Sequence, residues 1–396
     1  MKPRFFYVLC RHMHKVIKKY NLPPEVWFCK KCVISNQRPG ISFDKEGVCS
    51  ACLFAEHKKT GIDWNKRRQE LKKLCDKHRK NDGSFDVIVP GSGGKDSSTV
   101  AHVLKHEFRM HPLTVTWAPH LYTDIGFKNL QNFIASGFDD ILYFPNRIIH
   151  RKLTRISFEK LGDNFQPFIY GQYTIPFRVA IQYNIPLVFY GEDGIVEYGG
   201  PNKYADRASL SIKNFVKDRF SGLFVEQFKS WGVNEKDLKQ YFLNPKELKM
   251  IKKNNIKQYF FSYFHKWVPQ ENFYYAQKHV GFQANPDGRS EGTYSKYASL
   301  DDMLDGFHYY LSYIKFGLGR ATSDAAHEIR DGHITREEGV ALVRRYDGEF
   351  PQKHFKTFLD YCDITEAKFW KIVDSFRSPH LWKKVKGGWE LKHQVK

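Results

Sequence analysis

The sequence predicts an α/β protein built on a doubly wound parallel sheet, and two observations carry that expectation. Short apolar runs rich in β-branched or aromatic residues recur at 86–90 (DVIVP), 113–118 (LTVTWA), 139–144 (DDILYF) and 185–190 (IPLVFY), spaced widely enough for crossover helices. The first run passes straight into a glycine-rich turn, Pro90-Gly91-Ser92-Gly93-Gly94, and then into a helical pattern over 98–108. Right-handed crossovers put such a turn at the carboxyl edge of the sheet, where these folds bind ligands.

The other elements follow in order. Residues 1–27 form an N-terminal extension, and 28–60 a cysteine-bearing segment punctuated by Pro39, Gly40 and Gly47. A charged helix is expected over 63–80, with apolar spacing at Trp64, Leu71, Leu74 and Cys75, and it opens the α/β core that runs from 61 to 205. Residues 206–280 are basic and aromatic and read as a helical insertion. Residues 281–396 read as a C-terminal region that completes the substrate site and ends in amphipathic helices.

Bulk properties narrow the function. The chain of 396 residues carries a formal charge of +20, spread along its length and densest at 246–257. That balance favours anionic partners, with a solvated basic surface as the competing reading. No apolar run approaches a membrane span, and the first twenty residues lack the apolar length and cleavage site of a signal peptide, so a cytoplasmic location is expected. Of seven cysteines, Cys10, Cys75 and Cys362 are scattered, which argues against a disulfide framework.

The remaining four are patterned. Cys29-Lys-Lys-Cys32 and Cys49-Ser-Ala-Cys52 lie sixteen residues apart, a spacing that reads as a closed tetrahedral Zn²⁺ site, with a redox pair or an iron–sulfur cluster as alternatives.

The glycine turn has a chemistry of its own. Gly93 and Gly94 let several backbone N–H groups face one point, while Ser97 and Ser98 at the start of the helix add hydroxyls and a dipole that favours anions. This is not a Walker A loop, because Val89 and Asp96 stand where Gly and Ser or Thr are needed. The stretch from Ser92 through Gly93, Gly94, Lys95, Asp96 and Ser97 instead resembles the SGGxDS signature of the PP-loop ATP pyrophosphatases, of adenine nucleotide alpha hydrolase-like fold. The resemblance implies that residues 92–98 bind ATP and hold the departing pyrophosphate, that Asp96 orders the loop or Mg²⁺, and that Lys95 adds charge at the phosphates.

Four stretches together resemble the N-acetyl sugar amidotransferases of surface-polysaccharide and flagellin-sugar pathways. They are 29–40 (CKKCVISNQRPG) with 47–52 (GVCSAC), the PP-loop, 114–126 (TVTWAPHLYTDIG), and 292–310 with 314–330. The resemblance implies that ATP adenylates an acetamido oxygen of a nucleotide-linked sugar and that ammonia then displaces AMP to leave an amidine. The third stretch looks closest to the branch acting on a UDP-linked 2,3-diacetamido uronic acid, with the pseudaminic-acid branch as rival. Trp117 is then expected at ATP, and Tyr122, Asp124, Glu192 and Lys296 at the sugar. Lys95, Asp96 and Arg320 are the expected catalytic set, with Arg320 stabilising charge in the transfer step. Core packing for Trp117 and surface helix charge for the basic residues are the competing readings.

The sequence departs from the family at Gly191-Glu192-Asp193, where Gly-Glu-Asn is usual. Neither Cys75 nor Cys362 sits in a glutaminase elbow, so the chain is expected to depend on free ammonia or on a separate glutaminase, and the family resemblance implies a separate glutaminase subunit with a cyclase-like partner. Nucleic acid is not expected as a partner. A PP-loop tRNA-modifying enzyme and a non-catalytic zinc-ribbon binding protein are the rival readings.

Overall fold

The computed structural model describes residues 14–191, 196–200, 204–211, 223 and 225–396. Its centre is a five-stranded sheet in the order β3-β2-β1-β4-β5, made of β1 (Val87–Pro90), β2 (Pro112–Trp117), β3 (Asp139–Tyr143), β4 (Leu187–Tyr190) and β5 (Lys257–Phe260). Every pairing in it is parallel. The doubly wound α/β architecture expected from the sequence is therefore the one observed. The inner strands β1, β2 and β4 are buried along their whole length, while the edge strand β3 is partly exposed, as parallel sheets covered on both faces require.

Alternation along β1 divides the core. Val87 and Val89 face a layer built from α3 (Trp64–His78), α4 (Lys95–His106) and a later helix at 269–280. Ile88 faces the opposite layer, where α7 (Gln166–Gln182) crosses the sheet after α5 (Asp124–Ala135) and α6 (Arg147–Leu161) have made their crossovers. α3 is capped by Asp63, whose side chain accepts from Lys66 N.

The segment expected as a helical insertion contributes more than helices. Short helices Val225–Ser230, Glu235–Leu238 and Pro245–Lys253 do occupy it, but so does β5, which pairs with β4 from Leu187↔Lys257 to Tyr190↔Phe260. KQYF carries too little apolar pattern to announce a strand, and its partner lies far away in sequence. α8 (Pro269–Val280) then returns to pack on α4.

The C-terminal part builds its own core around α9 (Asp305–Phe316), with α10 (Arg320–Asp331) and α11 (Arg336–Tyr346) following. The described part of the N-terminal extension joins that core: α1 (Lys15–Tyr20) and the residues after it bury Val16 and Leu22 among Phe316, Phe376 and Leu381. The cysteine segment leads into α2 (Ser50–Thr60), with Cys49 as its N-cap residue, and packs against Ala325, Ala326 and Val343. Among the described residues, no helix is long and apolar enough to cross a membrane.

Trp117 closes the gap between β2 and α7. Its ring stacks on Tyr143 at 5.1 Å and meets Tyr241 edge-on at 5.5 Å, and a Cβ built on Gly171 would sit 2.1 Å from it. Gly171→Ala should therefore destabilise the protein. The roughly 0.5–1 kcal/mol gained from higher helix propensity is outweighed by the about 1–3 kcal/mol cost of overpacking, and a lowered urea midpoint at unchanged slope is the expected reading.

Candidate functional site

Strand order reverses at β1, between its neighbours β2 and β4, and the loops leaving β1 and β4 open a cleft at the carboxyl edge. The β1 loop is held on all sides. Gly91 N–H donates to Val115 O at 3.1 Å, and Gly91 O accepts from Thr116 Oγ1 at 2.6 Å. Gly93 has φ +76°, and a Cβ there would stand 2.6 Å from Leu130 Cα, so only glycine lets the loop rest on α5. Ser92 Oγ donates to Asp301 Oδ2 at 2.9 Å.

The helix after the loop starts at Lys95, earlier than the sequence pattern suggested, with Gly94 as its N-cap residue. Ser97 and Ser98 are consequently inside the first turn and do not cap it. Ser97 Oγ donates back to Gly94 O at 3.2 Å, and Ser98 Oγ is buried without a partner among the described residues. The first helical bond of this turn runs from Ser98 N–H to Gly94 O. The N–H groups of Lys95, Asp96 and Ser97 precede it, at the positive end of the helix dipole, where an anion is favoured.

Asp96 is the hub of the loop. Its Oδ1 accepts from Trp267 Nε1 at 2.9 Å and Asn272 Nδ2 at 2.8 Å, and its Oδ2 accepts from Lys95 Nζ at 2.6 Å. Burial favours the neutral acid, but the Lys95 ammonium and these donors outweigh it and hold Asp96 below the ordinary carboxylate range. Lys95 is thereby fixed beside the loop, 5.5 Å above the Tyr297 ring.

The cleft has a volume of about 380 Å³. Its far wall is one face of α10, made by Arg320, Asp324, His327, Glu328 and Asp331, while Ala325, Ala326 and Ile329 on the opposite face pack against the cysteine segment. Arg320 reaches the cleft already paired: Nε contacts Asp324 Oδ1 at 3.0 Å, and Nη1 donates to the Tyr309 hydroxyl. His327 Nδ1 accepts from Arg330 Nη2 at 2.9 Å, which assigns the proton to Nε2. Burial and the neighbouring cations Arg330 and Lys58 push His327 well below its ordinary value, so it stays neutral. Its Nε2 finds no partner among the described residues, which makes it a donor at the cleft wall.

The four cysteines are gathered as the spacing predicted. They are buried, and their sulfurs lie within 4.8 Å of one another. Sγ–Sγ distances of 3.9 Å (Cys29–Cys52) and 3.7 Å (Cys32–Cys49) match the edge of about 3.8 Å for a tetrahedron with ~2.3 Å metal–sulfur bonds. The cluster could hold a metal ion.

The remaining expected residues are dispersed. Trp117 is 3% exposed and packed in the core, so it does not line the cleft. Tyr122, in the connection before α5, and Asp124, its first residue, do not line the cleft; Asp124 is exposed, and the Tyr122 hydroxyl is buried. Lys296 is exposed and lies 5.1 Å over the Phe273 ring, away from the cleft. Glu192 and Asp193 lie outside the described residues. In exchange the structure adds Trp267, Asn272, Asp301 and His327.

Residues 291–396 match the model of the family described as LPS biosynthesis protein WbpG-like, C-terminal domain. The matched region supplies the far wall of the cleft and Asp301. Over those residues the chain carries a WbpG-like C-terminal domain. The chain is also 30% identical over 88 residues to an uncharacterized protein, MJ1599, of Methanocaldococcus jannaschii, a match that takes in 22% of this chain. The chain spans about a third of that relative, 31% of its length. Among solved structures, it is similar to an NH3-dependent NAD synthetase of Campylobacter jejuni at 17% identity and TM-score 0.29, covering 49% of this chain and 94% of that one. It is also similar to the U34-tRNA thiolase NcsA of Methanococcus maripaludis with its [4Fe-4S] cluster, at 16% identity and TM-score 0.29, covering 77% of this chain and 86% of that one. At such TM-scores the likeness bears no functional weight.

Two measurements check this site. Elemental analysis of the purified protein should find one metal ion per chain. Cys49→Ser should lose it together with thermal stability, because the cluster's folding energy is largely metal-binding energy. Asp301 offers a pH test. Burial, with Asp305 and Asp302 beside it, raises its carboxyl from 3.8 to about 6. A raised acid leaves its stability contribution intact below the ordinary range and loses it as pH rises through about 6. Asp301→Asn should therefore be more stable than the parent above pH 6, by at most on the order of 3 kcal/mol. The difference in denaturation midpoint should shrink to nothing towards pH ~4.

Proposed function

We propose that the protein is an ATP-dependent amidotransferase that adenylates the acetamido oxygen of a nucleotide-linked N-acetylated sugar and exchanges it for ammonia. One observation carries the reading: the glycine loop and the WbpG-like domain line the same cleft. The free N–H groups of the loop and Lys95 would take the β- and γ-phosphates, and Asp96 would keep both in place. Mg²⁺ would accompany the triphosphate, with Asp301 beside Ser92 as the carboxylate placed to meet it. The acetamido oxygen attacks the α-phosphorus and pyrophosphate leaves; ammonia then adds to the activated carbon and AMP departs, leaving the C=N bond of an amidine. The His327 Nε2–H fits a donor to a substrate oxygen rather than a base, since its Nδ1 is occupied by Arg330. Zn²⁺ suits the cysteine cluster, whose four thiolates leave no open position.

Sulfur transfer is disfavoured. No cysteine among the described residues lines the cleft, and burial pushes both Cys75 and Cys362 up to about 12, which leaves them poor nucleophiles. The same fact leaves the described chain without a glutaminase thiol, so ammonia would come from a separate glutaminase subunit with its cyclase-like partner. A UDP-linked 2,3-diacetamido uronic acid is the substrate to try first.

The test is mass spectrometry of reactions containing ATP, Mg²⁺, ammonium and a panel of UDP-diacetamido sugars. AMP, pyrophosphate and a product with NH in place of O should form together, and Asp96→Ala should abolish all three. ATP and tRNA binding with no sugar converted would overturn the reading.

A further inference from the structure

A second cavity, of about 460 Å³, abuts the cleft, and Gln172 and Tyr173 of α7 border both. Its walls come from distant parts of the chain: Lys19 from α1, Arg38 from the cysteine segment, and His308 and Lys315 from one face of α9. The only acid among its described lining residues is Asp163. That carboxylate is already engaged by His308 Nδ1 at 2.9 Å, by Phe165 N–H at 2.9 Å and by Gln166 Nε2 at 3.2 Å.

Two of the cations have no ion pair among the described residues, although Lys315 feels the Asp163 carboxylate that His308 already holds. Lys315 is 4% exposed, yet among the described residues its ammonium donates only to Leu161 O, at 3.5 Å, with the rings of Tyr20 and Phe316 at 5.7 and 5.2 Å. An ammonium has three donors, and burying it away from water without an anion is unfavourable. Arg38 lies 5.1 Å over the Tyr198 ring and has no ion pair among the described residues, and burial works against its charge. His308 adds to the positive side: burial opposes its protonation, but Asp163 more than offsets this and raises it above its ordinary value.

We propose that this cationic cavity seats the diphosphate of a nucleotide-linked substrate, so that the sugar extends past Gln172 and Tyr173 towards the glycine loop. The inference rests on the sugar-nucleotide reading above and adds where the anion is held. A diphosphate supplies the partners that Lys315 and Arg38 lack and gives the planar guanidinium a two-oxygen target.

Calorimetric titration of the full chain, saturated with a non-hydrolysable ATP analogue, tests it with UDP and uridine as probes. UDP should bind and uridine should not. Arg38→Gln and Lys315→Met should each weaken UDP by roughly tenfold or more, while leaving the ATP analogue's affinity unchanged, and Lys315→Arg should recover most of the loss. Arg38 is half-buried, so its variant keeps the test alive should Lys315→Met fail to fold. UDP affinity unchanged in the folded variants, or UDP competing directly with the ATP analogue, would overturn the proposal. Tight glucuronate binding without UDP binding would overturn it too. Failure of amidination with Lys315-dependent UDP binding intact would overturn only the reaction; amidination with an unaltered KM in both variants would overturn only this subsite.

Discussion

Four thiolates cannot remain buried within 4.8 Å of one another without a cation to offset their mutual repulsion. Much of the cleft is arranged around that constraint. The cluster is the surface on which Ala325 and Ala326 pack, so it fixes the rotation of α10 and thereby which side chains of that helix face the loop. The same segment reaches the cleft by a second route. Ser50 Oγ donates to Gly199 O at 2.6 Å, and Lys58 pairs with the buried Glu197 at 2.7 Å, flanking Tyr198 at the cleft rim. A metal that performs no chemistry would thus still govern the site, by deciding where its wall stands.

On a simple charge count the cleft would be an odd receptacle for the proposed triphosphate. Among the described residues, Asp96, Asp301, Asp305, Asp324, Glu328 and Asp331 face only Lys95 and Arg320. Two features reconcile this. Burial works against the charge of Asp301, Asp305, Glu328 and Asp331 and raises each above its ordinary value. What would then address phosphate is the backbone: the N–H groups at the start of α4 and the dipole behind them, held by an Asp96 whose own charge is engaged by Lys95, Trp267 and Asn272. The chain's positive excess lies mainly outside the cleft, and the second cavity is where some of it turns inward.

What could be read from the sequence depended on how local the signal was. β1 to β4, the glycine turn and the cysteine quartet are written in short contiguous patterns, and each is found where expected. β5 was not legible, because KQYF becomes a strand only through its pairing with β4. The helix start was misplaced because Gly94 serves as N-cap residue without a side chain, while the serines that look like caps follow it. Trp117 was open to a better reading: the alternation that sends Leu113 and Val115 into the core sends Trp117 there too. Trp267 and Asn272 carried no signal at all, since they matter only through Asp96, some 170 residues away in sequence (|i−j| of 171 and 176).

α7 shows how packing prepares the boundary between the two cavities. Gly171 lets the helix settle onto Trp117, which brings its next two residues, Gln172 and Tyr173, to the carboxyl edge of the sheet. Pro176 lies inside the same helix and has no N–H, so the carbonyl of Gln172 loses the donor it would otherwise have four residues on. That lost donor falls at the turn of α7 that borders both cavities. Proline and glycine both weaken a helix. Their joint presence within a turn and a half of α7 is coherent if this stretch is shaped for what passes between the cavities rather than for helix stability.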